Sequence, residues 1–79
     1  MPKLRDISGK KLVKMFESFG FVFVKQNGSH IKMNRFYHGQ IQTLIIPNHS
    51  SIAKGTLKEI FVQALNYISE KELKKLFYS

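Results

Sequence analysis

The sequence has no cysteine, few acidic residues and no long apolar segment. Its 79 residues include five aspartates and glutamates against 13 lysines and arginines, and tryptophan is also absent. Without cysteine the chain can form neither a disulfide framework nor a thiolate metal site, and it has no cysteine nucleophile. Its apolar stretches are too short to span a bilayer, and the opening residues lack the apolar segment of a secretory leader. We therefore expect one cytoplasmic domain over residues 1–79, with no membrane association.

The excess of basic residues is the clearest feature of the composition. The formal net charge is +8 at neutral pH. Such a charge attracts polyanions, and nucleic acid is the commonest partner of a basic domain. An acidic protein partner, or a basic surface that only confers solubility, is compatible with the same composition. Three classes of function stay open at this point: an enzyme acting on RNA, an RNA-binding module and a protein-interaction domain.

Hydrophobic spacing predicts a helix, three strands and two further helices. Ser8 is a suitable N-cap for the first helix, and Gly20 follows that helix as its stop. The second helix has apolar residues at helical spacing, and Ser69 with Glu72 matches a capping box before the third. The predicted elements are a helix over 9–18, strands over 21–26, 29–35 and 40–46, and helices over 54–66 and 70–77.

The connections between the strands predict an antiparallel sheet. Asn27 and Gly28 suit a two-residue type I′ turn, in which both central residues have positive φ. A looser turn is expected over residues 37–39, and Pro47 ends the third strand because proline has no N–H for the ladder. The order α-β-β-β-α with a short C-terminal helix predicts an α+β fold with its helices on one face of a three-stranded sheet. This is the layout of a double-stranded-RNA-binding domain.

The positions of the acidic residues exclude several kinds of active site. Metal-assisted phosphodiester cleavage needs clustered carboxylates, whereas all five acids here lie on or beside predicted helices. Paired carboxylates of the glycosidase type have no support either. Ser29 and His30 are neighbours on a predicted strand and point to opposite faces, so they cannot form a nucleophile and base pair. We expect no metal site and no cofactor.

A histidine among cations remains as the candidate for catalysis. His30 shares the uncovered face of the sheet with Lys32, and Lys25 lies on the neighbouring strand. RNA can be cleaved without a metal, because its own 2′-hydroxyl attacks the adjacent phosphate. A histidine near its free pKa of about 6.5 can take or give the proton, and lysines can neutralise charge on the phosphoryl oxygens. An exposed strand histidine with no function has the same spacing.

The loop before the second helix contains a second group of candidates. His49 could supply an acid/base group or a phosphate contact, although a turn histidine bonded to the backbone fits equally. The free N–H groups at the start of the helix favour a phosphate there. Lys54 and Lys58 add positive charge, or form a solvated helix face. His38 lies in a turn, where a solvated side chain is the simplest interpretation.

Four segments of the chain, in the same order, resemble the HicA (YcfA-like) toxin family. They cover nearly the whole sequence, and the second is similar to the family's K/R-Q-x-G-S-H signature. The third and fourth are similar to its hydrophobic-P-x-H and K-G-T-L-x-x-I segments. The matching segments are residues 1–4, 7–13 and 20–21 (MPKL, ISGKKLV and GF), 25–30 (KQNGSH), 45–49 (IIPNH) and 54–60 (KGTLKEI).

The resemblance implies a double-stranded-RNA-binding-like fold and the toxin role in a type II toxin–antitoxin system. It also implies mRNA cleavage that halts translation and a HicB-type antitoxin as partner. The family's catalytic histidine falls on His30, and the turn at Gly28 fixes where His30 enters its strand. Ile31 stands where the family often has a bulky or basic residue. A non-catalytic RNA-binding module is the alternative. The predicted RNA contacts are Lys25, Ser29, Lys32, His49, Lys54 and Lys58.

Overall fold

The computed structural model describes residues 3–79, and its elements follow the predicted order. Met1 and Pro2, which open the first family-like segment, lie outside the described residues. The three strands form an antiparallel sheet in the order β1-β2-β3, so the predicted α+β class is confirmed. No helix within residues 3–79 is long and apolar enough to cross a bilayer. The elements are α1 (Gly9–Glu17), β1 (Val22–Asn27), β2 (His30–Tyr37), β3 (Gln40–Pro47), α2 (Lys54–Ala64) and α3 (Glu70–Phe77).

One face of the sheet forms the core with the helices. Ile31 and Met33 of β2 pair with Ile46 and Leu44 of β3, and all four side chains are buried. Burial of one such side chain contributes about 1.5–3 kcal/mol relative to exposure. The period of two that was predicted for β2 is therefore confirmed. The helices bury Leu12, Phe16, Leu57, Phe61, Leu73 and Phe77 in the same core.

All three helices begin at the predicted residues; the first two end one or two residues earlier than predicted, and the third ends as predicted. The Ser8 hydroxyl accepts the N–H of Lys11, and the Ser69 hydroxyl accepts the N–H of Glu72. Both predicted N-caps are confirmed, and each contributes about 1 kcal/mol. The second helix ends at Ala64 and not at residue 66, because the N–H groups of residues 66 and 67 bond three residues back and tighten the chain into a turn.

The first hairpin turn differs from the predicted one. Asn27 is the last residue of β1 and pairs with His30, so the central residues are Gly28 and Ser29. Gly28 has φ 58°, and Ser29 keeps a negative φ. This is the pattern of a type II′ turn, so the type I′ turn predicted over Asn27 and Gly28 is wrong. The positive φ expected at Gly28 is confirmed, and Asn27 contributes to the ladder.

The second hairpin turn is tighter than predicted. Tyr37 pairs with Gln40, which leaves His38 and Gly39 as a two-residue turn. Their φ values of 50° and 77° give it the type I′ pattern. Histidine is one of the residues that enter the left-handed region more readily than most. The strand that follows also includes Pro47 as its last residue, one position beyond the predicted end.

A bulge in β1 shifts the pairing between Phe23 and Lys25, so that Val24 has no partner in β2. Phe23 pairs with Met33, which faces the core, whereas Lys25 pairs with Lys32 on the other face. The whole of β1 is exposed. The bulge therefore places Lys25 directly beside Lys32, whereas the sequence placed Lys25 only on the neighbouring strand.

Arg35 joins the sheet to the ends of two helices. Its guanidinium donates to the carbonyl oxygens of Phe19 at 2.9 Å and Tyr67 at 3.1 Å, which follow α1 and α2. Its Nε donates to Gln42 Oε1 at 2.7 Å, and the group lies 4.8 Å from the ring centroid of Phe21. Hydrogen bonds to a charged group contribute about 1.5–3 kcal/mol. Arg35 thus holds the helices at the end of the sheet remote from the first hairpin turn.

Gly9, the first residue of α1, lies directly against the backbone that connects β3 to α2. A Cβ at this position would meet the Pro47 carbonyl oxygen and would come 2.9 Å from the Asn48 Cα. The Gly9 N–H donates to the His49 carbonyl oxygen at 2.8 Å. A residue without a side chain is needed for this approach.

We expect Gly9→Ala to lower the free energy of unfolding by about 1–3 kcal/mol, because the added methyl group must push two backbones apart. Gly55, near the start of α2, is the matched control, since nothing lies within 4 Å of the position of its Cβ. Gly55→Ala should raise stability by up to about 1 kcal/mol. Urea denaturation of both variants measures the difference. Equal stability would contradict the close contact at Gly9.

Candidate functional site

The sheet face turned away from the core carries three residues of the predicted site, His30, Lys25 and Lys32. Directly paired residues of antiparallel strands lie on the same face, and alternate residues along each strand share it. We call this surface the open face. It has four rows across the sheet: Asn27, His30 and Pro47; Lys25, Lys32 and Ile45; Val22, Asn34 and Thr43; and Phe36 with Ile41.

His30 lies at the end of the open face, as the first residue of β2. It is exposed, between Asn27 on one side and Pro47 on the other. Lys25 and Lys32 form the adjacent row, so the structure brings these three predicted side chains onto one surface. Ser29 stays in the turn, where its carbonyl oxygen accepts the N–H of residue 48 at 2.6 Å.

A groove of about 350 Å³ separates the His30 end of the open face from α2. The N–H of Ile45 in β3 donates to Gln63 Oε1 at 3.1 Å, which fixes α2 against the outer edge of the sheet. His49 reaches the same groove from the connecting loop, so both candidate histidines line one surface. We call this surface the histidine groove; it consists of His30, Ile45, Pro47, His49, Thr56, Glu59, Ile60 and Gln63.

Backbone hydrogen bonds hold the segment that carries His49. The Asn48 N–H donates to the carbonyl oxygen of Ser29, in the turn directly before His30. On the other side, the His49 carbonyl oxygen accepts the N–H of Gly9. The segment is therefore attached both to the first hairpin and to α1. Because His30 pairs with Pro47 as well, the backbones beneath the two histidines have a fixed relation.

The structure does not bring Lys54 to the histidine groove. Its ammonium group lies 2.9 Å from the Asp6 carboxylate and donates to the Leu4 carbonyl oxygen at 2.9 Å. The hydrogen bond from Lys54, together with its charge, lowers the pKa of Asp6 below its ordinary value. Lys58 is exposed on α2 and lies outside the groove. Contacts of these two lysines with RNA stay predictions.

The α2 side of the groove was not predicted from the sequence. Thr56, Glu59 and Gln63 have helical spacing and form a polar stripe beside the apolar stripe of α2. That stripe was the available signal, but its meaning depends on which strand the helix packs against. Glu59 brings a carboxylate into the groove with both histidines. Within residues 3–79, no group of three or more His, Cys, Asp or Glu side chains could hold a metal ion.

Comparison with known families gives one match. The family model for the HicA toxin of bacterial toxin–antitoxin systems matches residues 9–65, which is more than half of the chain. The matched range runs from the start of α1 to the end of α2 and includes every residue of the histidine groove. No curated protein and no solved structure matches the chain. The family match identifies the protein as a member of the HicA toxin family.

Proposed function

We propose that this protein is a metal-independent endoribonuclease that cleaves mRNA in the cytoplasm, as the toxin of a type II toxin–antitoxin system. One observation carries the proposal: the histidine groove brings His30 and His49 together from distant parts of the chain. Histidine is the side chain best suited to exchange protons near neutral pH. The family supports the toxin role.

Two imidazoles on one groove suit the two proton transfers of RNA cleavage. One neutral imidazole takes the proton of the 2′-hydroxyl as the 2′-oxygen attacks phosphorus. The bond from phosphorus to the 5′-oxygen then breaks, and the other imidazole, in its protonated form, gives its proton to that oxygen. The products are a 2′,3′-cyclic phosphate and a 5′-hydroxyl end. Such positioned proton transfers accelerate reactions by about 10²–10⁴-fold.

The charged residues around the two histidines complete the proposed site. Lys25 and Lys32 pair across the strands next to His30, where their ammonium groups can hold a phosphate. Glu59 lines the groove with the histidines, where its carboxylate can accept a hydrogen bond from an imidazole N–H and fix the orientation of the ring. Both lysines are accessible to solvent, so their phosphate contacts should weaken as salt rises.

We expect the wild-type protein to cleave labelled RNA in excess EDTA and to leave DNA of the same sequence intact, because DNA has no 2′-hydroxyl. His30→Ala should lose at least about 100-fold in rate, since proton transfer by a positioned group is worth that much. His38→Asn is the matched control, because His38 lies in the turn at the other end of β2 and asparagine accepts its positive φ. Equal salt-dependent binding by both proteins, with no cleavage by either, would favour the RNA-binding module.

A sulfur leaving group tests the second histidine. A 5′-thiolate departs without a proton, so a substrate with sulfur in place of the bridging 5′-oxygen makes the general acid unnecessary. We expect His30→Ala and His49→Ala both to fail on ordinary RNA, and one of the two to recover on the sulfur substrate. If both variants recover on the sulfur substrate, or if neither does, the two histidines do not divide the proton transfers. Full activity of His49→Ala on ordinary RNA would contradict the division as well.

The proposed partner is a HicB-type antitoxin that covers the open face. An acidic protein would be steered there by the net charge of +8 and would bury His30 or displace RNA. Complex formation should therefore abolish RNA binding, as measured by fluorescence anisotropy of a labelled RNA with and without antitoxin. A ternary complex that binds RNA with unchanged affinity would refute this arrangement.

A further inference from the structure

Four residues of β2 form a line along the open face, away from the histidine groove. His30, Lys32, Asn34 and Phe36 are alternate residues of one strand, so their side chains point to the same side. The line is about 20 Å long, at about 3.3 Å per residue. It passes from an imidazole to an ammonium group, then to an amide and finally to an aromatic ring. We call this line of four side chains the track; it starts at the proposed site of cleavage, and each of its side chains offers a different kind of contact.

Phe36 is an unusual residue to leave on this surface. Its side chain is 73% exposed, more than any other large hydrophobic side chain in residues 3–79. It lies opposite Ile41 in β3, in the last row of the open face. Between Phe36 and Lys32, the Asn34 amide oxygen accepts the Thr43 hydroxyl at 3.0 Å, which orients the amide. An exposed ring at the end of such a track offers a flat apolar face on which a base can stack.

We propose that the open face binds single-stranded RNA, with phosphates on Lys25 and Lys32 and one base stacked on Phe36. The proposal rests on the proposed function, because the strand must pass His30 to be cut. Unpaired bases stack on exposed aromatic rings of sheets, whereas the bases of an A-form duplex are stacked inside it. The track therefore selects unpaired RNA.

The distribution of charge and apolar groups along the track suits a single strand of RNA. The paired lysines lie between His30 and Phe36, where a phosphate backbone following the track would meet them. Val22, Phe36 and Ile41 form an exposed apolar end of the open face, and along β3 Thr43 separates Ile41 from Ile45 in the lysine row. An unpaired strand offers both a phosphate for the lysines and a base for the ring at the apolar end.

Phe23 provides a matched control for Phe36. It is 53% exposed, and it pairs with Met33, whose side chain faces the core. Phe23 therefore lies on the opposite face of the sheet, at its edge beside α1. Loss of either ring removes a similar amount of exposed apolar surface, but only the Phe36 ring lies on the proposed track.

The test is the affinity of a labelled, fully 2′-O-methylated single strand, which can bind but cannot be cleaved because its 2′-oxygens are blocked. Phe36→Ala should weaken binding about tenfold, the scale of one lost base stack. Phe36→Leu should weaken it similarly, since leucine is apolar but has no ring, whereas Phe36→Tyr and Phe23→Ala should bind like wild type. Binding of a blunt duplex should be unchanged by Phe36→Ala.

Wild-type affinity in Phe36→Leu would overturn the proposal, because apolar contact alone would then suffice. If Phe36→Ala instead leaves RNA affinity unchanged and weakens self-association or antitoxin binding, Phe36 belongs to a protein interface only. This result would also overturn the proposal. The two proposals fail in different ways. If RNA stays intact with the wild-type protein while Phe36→Ala still weakens binding, the proposed function fails and the track stands. If the wild-type protein cleaves RNA but Phe36→Ala does not change binding, the proposed function stands and the track fails.

Discussion

The contact between Gly9 and the segment after β3 is the constraint on which the candidate site depends. Because Gly9 has no side chain, α1 can begin against the backbone of Pro47 and bond the carbonyl of His49. The same segment is attached through Asn48 to the turn before His30. The segment that carries His49 is therefore held in part by a helix that contributes no side chain to the groove. The geometry of the site thus depends on the backbone contact at Gly9 as well as on the pairing of His30 with Pro47.

The two faces of the sheet have separate physical roles. One face provides the buried residues Ile31, Met33, Leu44 and Ile46, on which stability depends. The other face carries mainly exposed and half-buried side chains, and substitution of an exposed one usually changes stability by less than about 0.5 kcal/mol. A small domain buries little surface, so its free energy of unfolding is small. Placing the reactive groups on the exposed face lets them vary without loss of the fold.

The sequence predicts the elements well because the relevant signals are local. Alternation along β2 placed His30 and Lys32 on one face correctly, and Ser8 and Ser69 marked true helix starts. The first turn was predicted wrongly because the preference of Asn27-Gly28 for a type I′ turn was outweighed by the pairing of Asn27 with His30. The histidine groove could not be predicted, since it exists only where α2 meets β3 through Gln63 and Ile45. The attachment of Lys54 to Asp6 is another long-range contact of this kind.

The hydrogen bond from Ile45 to Gln63 also bears on how the sheet meets other chains. Strand edges with free N–H and C=O groups are templates for the addition of a further strand. At β3 a helix side chain already occupies one of those groups, and α2 lies along that edge. At the opposite edge, the bulge around Val24 interrupts the regular spacing of β1, and the charge of Lys25 disfavours an added strand. Extension of the sheet by a foreign strand is disfavoured on both sides, which leaves recognition of partners to side chains and not to the backbone.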